Sequence, residues 1–186
     1  MSEGSVSLGS GARMTILHWD GGRHHDPNEN SVVVRLDLGP RRILLTGDAE
    51  AGEREHPASV PHPQSVEAEL LGCCRTALKA DVLFAGHHGS MTSSRAVFLD
   101  AVGAKTFIVS SGPTKYKSVT LPDTEVIEEF DRRGAVLRTD EGDSACRSNP
   151  AKIGTDNDGK PGGCSNVLVT IRQDGALAAD YHRISD

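Results

Sequence analysis

The run Gly86-His87-His88-Gly89-Ser90 constrains this chain more than any other stretch. An apolar segment, Asp81-Val82-Leu83-Phe84-Ala85, precedes it, and a helical pattern from Ser94 to Val102 follows. A short apolar run bounded by glycine reads as a buried strand. Two adjacent imidazoles therefore stand where a strand ends and a helix is about to begin. Turns of that kind expose backbone N–H groups and favour metal and anion chemistry. Imidazole is the commonest metal ligand, although adjacent loop histidines are ordinarily just solvated.

The flanking sequence alternates strand and helix patterns. Ser31 to Leu38 alternates β-branched and polar positions, Gly39-Pro40 turns it, and Arg42 to Thr46 follows as a second strand ending at Gly47-Asp48. Ala49 to Gln64 reads as an excursion loop. Val66, Leu70, Leu71, Cys74 and Leu78 recur with helical period, which predicts a helix over Ser65 to Leu78. Thr106 to Ser110 is a buried strand. Pro122-Asp123-Thr124-Glu125 opens a further helix that Gly134 ends, and Ala135 to Arg138 is a strand. Asn166 to Ile171 and Ala176 to Tyr181 close the chain as a hairpin. Helices alternating with strands indicate a layered α/β domain.

Length and charge narrow the classes. The 186 residues suffice for one domain with a core. A net charge of -6 and 4% aromatic residues give no basic stripe for nucleic acid. Bound metal can still supply positive charge to an acidic protein that handles phosphate esters. No apolar run reaches the roughly 18 residues of a membrane span. Residues 1–13, rich in Gly and Ser, are expected to be a flexible tail or remnant, with the domain over 14–186. A loop insert is expected at about 144–165. Cys146 and Cys164 bracket it; a bridge there would contribute about 3 kcal/mol and would favour an extracytoplasmic location. Adjacent Cys73 and Cys74 lie on the predicted helix, with at least one expected to be buried as a small hydrophobe. Asp156-Asn157-Asp158-Gly159 resembles a calcium-loop core, but Gly154 and Ser165 occupy the first and last ligand positions, so the run reads as a solvated turn.

Asp48 alone would be an ordinary turn residue. Set beside His87 and His88 at another strand's end, it completes a partial site for zinc or another divalent metal. At this point the residues resemble a family. Asn28-Glu29-Asn30-Ser31-Val32-Val33-Val34, Ile43-Leu44-Leu45-Thr46-Gly47-Asp48 and Asp81 to Ser90 are similar to the second half of a metallo-β-lactamase-fold hydrolase. The similarity is to the ComEC-like branch, found in competence proteins and related secreted hydrolases, and it covers roughly Met14 to Asp143. The resemblance implies an α/β fold, the C-terminal half of a four-layer αββα sandwich, with a two-metal site of zinc or manganese at one edge. It implies Asp48 as the bridging carboxylate and His88 as a metal ligand. His87 would then contact substrate or stabilise the leaving group; the opposite assignment of the two histidines stays open. Ser90 and Asn30 stand where substrate contacts would fall. The activity implied is hydrolysis of a phosphodiester, DNA included, or another ester through a metal-bound hydroxide.

The departures are as informative. The family's H-x-H-x-D-H motif is absent, and His24-His25-Asp26 lacks its spacing. Asn28 or Asn30 stands where many members have a further histidine. Thr114-Lys115-Tyr116-Lys117-Ser118 lacks the histidine that the branch carries in the corresponding element. Three explanations follow: a companion N-terminal half, or a homodimer that mimics it, completes the site; the chain is a binding or assembly module that holds no metal; or His18, His24, His25 or His56 is recruited. The first leaves an apolar face awaiting its partner.

Overall fold

The computed structural model describes residues 4–22, 26–112, 115–116, 118–140, 154–155, 161–162 and 166–182. In chain order the elements are β1 (Ser5–Gly9), β2 (Ala12–His18), β3 (Val33–Leu38), β4 (Arg41–Leu45), α1 (Val66–Cys73), β5 (Val82–Phe84) and α2 (Ala96–Val102). There follow β6 (Thr106–Val109), β7 (Lys115–Tyr116), β8 (Val119–Thr120), α3 (Thr124–Asp131) and β9 (Ala135–Arg138). The last are β10 (Gly154–Thr155), β11 (Pro161–Gly162), β12 (Asn166–Ile171) and β13 (Leu177–His182).

Seven strands form one mixed sheet in the order β1-β2-β3-β4-β5-β6-β9. The first four are an antiparallel meander, and β4, β5, β6 and β9 run parallel. Strand alternation sends successive side chains to opposite faces. Leu44, Leu83 and Phe107 therefore point to the helical side, where they pack with Val66, Leu70, Leu99, Val126 and Phe130. Phe107 and Phe130 stack with ring centroids 4.7 Å apart. Ile43, Val82 and Ile108 point the other way, and Val167, Val169, Ile171 and Leu177 of the β12–β13 hairpin cover them. The layered α/β architecture is thus as expected.

Element ends moved for local reasons. Ser65 caps α1 by accepting from the Ala68 N–H, and the helix stops at Cys73 rather than Leu78. Cys73 and Cys74 are joined in a disulfide there; Cys73 is exposed and Cys74 half-buried. The expectation of a buried cysteine is corrected: the side chains leave the apolar face because they bond to each other. Residues 5–9, expected as tail, form β1 on β2. Val6 and Leu8 alternate with serine, and Gly9, Ser10 and Gly11 all take positive φ to turn the chain back. Cys146, Cys164 and the Asp156–Gly159 run lie outside the described residues, as do Thr114, Lys117, His24 and His25.

Past the covering hairpin, the face opposite the helices stays apolar. Val6, Met14, Leu36, Ile43 and Val82 form one register row across the sheet. At its edge Val6 is 48% and Leu8 54% exposed. No helix among the described residues is long and apolar enough to cross a membrane.

Candidate metal centre

Ligand sites in open α/β sheets lie beyond the carboxyl ends of the strands. Here β4 delivers Asp48, β5 delivers His87 and His88, and β6 delivers Ser110 to one rim. The loops are pulled together by hydrogen bonds. The His87 N–H donates to the Gly47 carbonyl at 3.0 Å, and the Ser93 hydroxyl donates to the Gly86 carbonyl at 2.7 Å. Gly86 is needed for that approach, because a Cβ there would sit 2.9 Å from the Ala49 carbonyl oxygen.

His87, His88 and Gly89 all take left-handed backbone conformations, with φ of 44°, 56° and 78°. For two non-glycine residues this costs about 1–3 kcal/mol each, strain that clusters at functional sites. The turn aims the two rings apart: their centroids are 6.2 Å apart and the planes 57° inclined. His88 Nδ1 lies 2.6 Å from the Ser110 carbonyl oxygen, and its Nε2 lies 3.5 Å from Asp48 Oδ1. A carbonyl only accepts, so Nδ1 carries the proton, and in the neutral ring the Nε2 lone pair faces the Asp48 carboxylate. Both side chains are over two-fifths exposed, at 43% and 45%. Two acceptors facing each other suit a cation between them, and a backbone carbonyl on the far nitrogen is the usual support of a ligating histidine.

His87 turns to a different carboxylate. Its Nδ1 is 2.6 Å from Glu50 Oε1 and 2.9 Å from the Thr92 hydroxyl. The Glu50 hydrogen bond raises the His87 pKa against the pull of burial. Burial pushes the Glu50 carboxyl up, but hydrogen bonds from His87 and Thr92 outweigh it and hold the group below its usual range. Asn28 donates to Glu50 at 3.4 Å.

The other expected residues serve the scaffold. Ser90 is only 1% exposed, and its hydroxyl oxygen accepts from Arg54, from the Thr92 N–H and from the Thr92 hydroxyl. The turn points its side chain inward, away from the open rim. Asn30 spends its amide N–H groups on the Asp20 and Gly22 carbonyls at 2.9 and 3.0 Å, pinning the segment after β2. His18 is buried between the Ser31 carbonyl and Glu69, and His56 accepts from the Ala58 N–H, so neither is recruited to the rim.

Glu50, Thr92, Glu67 and Arg95 were not singled out in the sequence. Buried Glu67 accepts from the Ser94 and Arg95 N–H groups at 2.5 and 3.1 Å, stabilising the turn into α2. Arg95, also buried, donates to the carbonyls of Glu53, Glu55 and Met91. The only sequence signal for Glu50 is its place two residues after Asp48.

Asp48 and His88 fit a divalent metal as two of its donors. A zinc site takes three or four protein ligands. Among the described residues no group of three His, Cys, Asp or Glu side chains converges to hold an ion.

The chain belongs to the metallo-beta-lactamase superfamily, whose family model matches residues 4–112. It is similar to recombination protein 2 of Haemophilus influenzae, 35% identical over 113 residues, which are 60% of this chain and 12% of that protein. It is 34% identical over 117 residues to competence protein ComA of Neisseria gonorrhoeae, 62% of this chain and 15% of the relative. ComE operon protein 3 of Bacillus subtilis is 30% identical over 145 residues, 77% of this chain and 16% of the relative. The chain thus spans a minor part of the length of these relatives.

Proposed function

We propose that this chain carries the C-terminal part of a metal-dependent hydrolase site acting on a phosphodiester or other ester. The observation that carries the reading is the Asp48–His88 pair, with His88 Nε2 at 3.5 Å from the carboxylate and its Nδ1 tied to Ser110. Asp48 and His88 would hold zinc or manganese, which when bound supplies Lewis acidity and lowers the pKa of a water. His87, beside the pair, faces the reacting ester. The Ser110 carbonyl keeps His88 in the ligating tautomer, and the Gly47–His87 backbone bond keeps both loops in register.

The remaining donors come from a companion half or a second copy. The exposed Val6 and Leu8 at the edge of the apolar sheet face support such packing. One relative named as a recombination protein and one named as a competence protein support DNA as the phosphodiester. The Cys73–Cys74 disulfide supports an oxidising, extracytoplasmic setting.

One observation favours a second reading, a binding or assembly module without catalysis: among the described residues only two donors meet at the rim. Elemental analysis of the purified chain, with turnover of bis-p-nitrophenyl phosphate in added manganese or zinc, separates the two. The hydrolase reading expects bound metal and turnover, abolished by Asp48→Asn, once the chain is paired with a second copy or joined to its companion half. Less than about a tenth of an equivalent of metal with no turnover supports the module.

A further inference from the structure

We propose that Glu50 is the positioning residue of His87: its carboxylate accepts from Nδ1–H and aims Nε2 at the bound ester or its water, where in the neutral ring Nε2 is the acceptor for a hydrogen-bond donor. The tautomer stands on geometry alone; the partner of Nε2 rests on the hydrolase reading.

The argument is one of lone pairs. Glu50 Oε1 lies 2.6 Å from His87 Nδ1. An ionised carboxylate only accepts, so an unprotonated Nδ1 would set two lone pairs against each other at that distance. The proton therefore sits on Nδ1 and points at Glu50. A neutral imidazole then carries its lone pair at Nε2. The Thr92 hydroxyl, 2.9 Å from the same nitrogen, has other acceptors in the Glu50 carboxylate and in Ser90 Oγ at 3.0 Å, so Nδ1 need not take its proton.

Glu50 is itself held in place. Its side chain is 16% exposed and takes the Asn28 amide at 3.4 Å. The Glu50 carbonyl accepts from the Glu67 N–H at 3.1 Å, and the next residue, Ala51, donates to the Thr92 carbonyl at 2.6 Å. The carboxylate is thus anchored to α1 on one side and to the histidine turn on the other. The left-handed φ of 44° at His87 turns its ring away from His88 and onto this anchor. Each histidine of the pair consequently has its own support: Ser110 for His88 and Glu50 for His87. Strain in two successive residues is retained where the surroundings over-determine it, and Glu50 is the contact that does so for His87.

The test is the histidine tautomer, read by long-range proton–nitrogen NMR on the nitrogen-15-labelled chain at about pH 9, where an ordinary imidazole is neutral. The expected wild-type pattern is Nδ1–H at both His87 and His88. Glu50→Gln offers an amide donor to Nδ1, so His87 should shift toward the Nε2–H form while His88 stays unchanged as the internal control. An Nε2–H pattern at His87 in the wild type, or a His87 pattern unmoved by Glu50→Gln, overturns the proposal. The wild-type spectrum decides even if the variant fails to fold. Where the chain hydrolyses an ester, Glu50→Gln should lower kcat by about 10- to 100-fold, the range of other supporting contacts, with KM little changed. An unchanged kcat overturns the acceptor role of Nε2. An inert chain with the tautomers as expected supports the positioning of His87 and counts against the hydrolase reading alone.

Discussion

Arg95→Met tests whether the excursion between β4 and α1 is tied to the histidine turn as described. Arg95 is fully buried, and burial, the largest influence, pulls its guanidinium below the usual range. It donates to the Glu53, Glu55 and Met91 carbonyls at 2.7, 2.5 and 2.9 Å, with the Glu55 carboxylate 3.6 Å away. Methionine keeps much of the stem and loses all these donors. Charge-assisted bonds are worth about 1.5–3 kcal/mol each, but the freed carbonyls regain water once the loop lifts. The loss expected is therefore that of breaking one buried charged partner, about 3–5 kcal/mol. For a chain of this size each kcal/mol moves Tm by about 2–4 °C, so the drop should be roughly 6–20 °C. Thermal unfolding measures it, and limited trypsin digestion locates it, because exposed Arg54 lies in the released loop. A Tm change under about 2 °C with no faster cut at Arg54 would refute the reasoning.

Three further outcomes follow from the same contacts. Burial raises the Glu67 carboxyl to about 7, against the opposing N–H groups of Arg95 and Ser94. Because the folded pKa is raised, the stabilising contribution is complete below the unfolded value of 4.5 and is lost as pH rises through about 7. Unfolding free energy should fall by about 3 kcal/mol across that window, and Glu67→Gln should remove the slope; an equal slope in the variant counts against it. Gly86→Ala drives a Cβ onto the Ala49 carbonyl and should cost about 1–3 kcal/mol by urea unfolding; wild-type stability would show that the strand-end packing is loose. Phe130→Ala removes the ring stacked on Phe107 and should cost about 3–5 kcal/mol, against which a loss under 1 kcal/mol would argue.

The sheet was legible because its signals are local. Ile43-Leu44 and Phe107-Ile108 are apolar on both faces, as strands covered on both sides must be. The meeting of Asp48 and His88 at one rim was legible because they lie three and four residues past the ends of such strands. The rest was not local. β1 reads as a Gly/Ser tail until Met14 pairs with Val6. α1 keeps its apolar period beyond its end, but the Cys73–Cys74 disulfide and the cap at Cys74 stop it sooner. Ser90 shares a motif with the histidines, yet the left-handed turn buries it. Glu50 reaches His87 37 residues away and Arg95 reaches Glu53 42 residues away, and no spacing rule marks such pairs.

The central claim, that Asp48 and His88 are two donors of one metal site, is tested most directly by titrating manganese into the chain and following amide broadening by NMR. The account predicts broadening centred on Asp48, His87 and His88 that His88→Ala weakens at least about tenfold in apparent affinity. Broadening centred elsewhere, or a titration indifferent to His88→Ala, would contradict it.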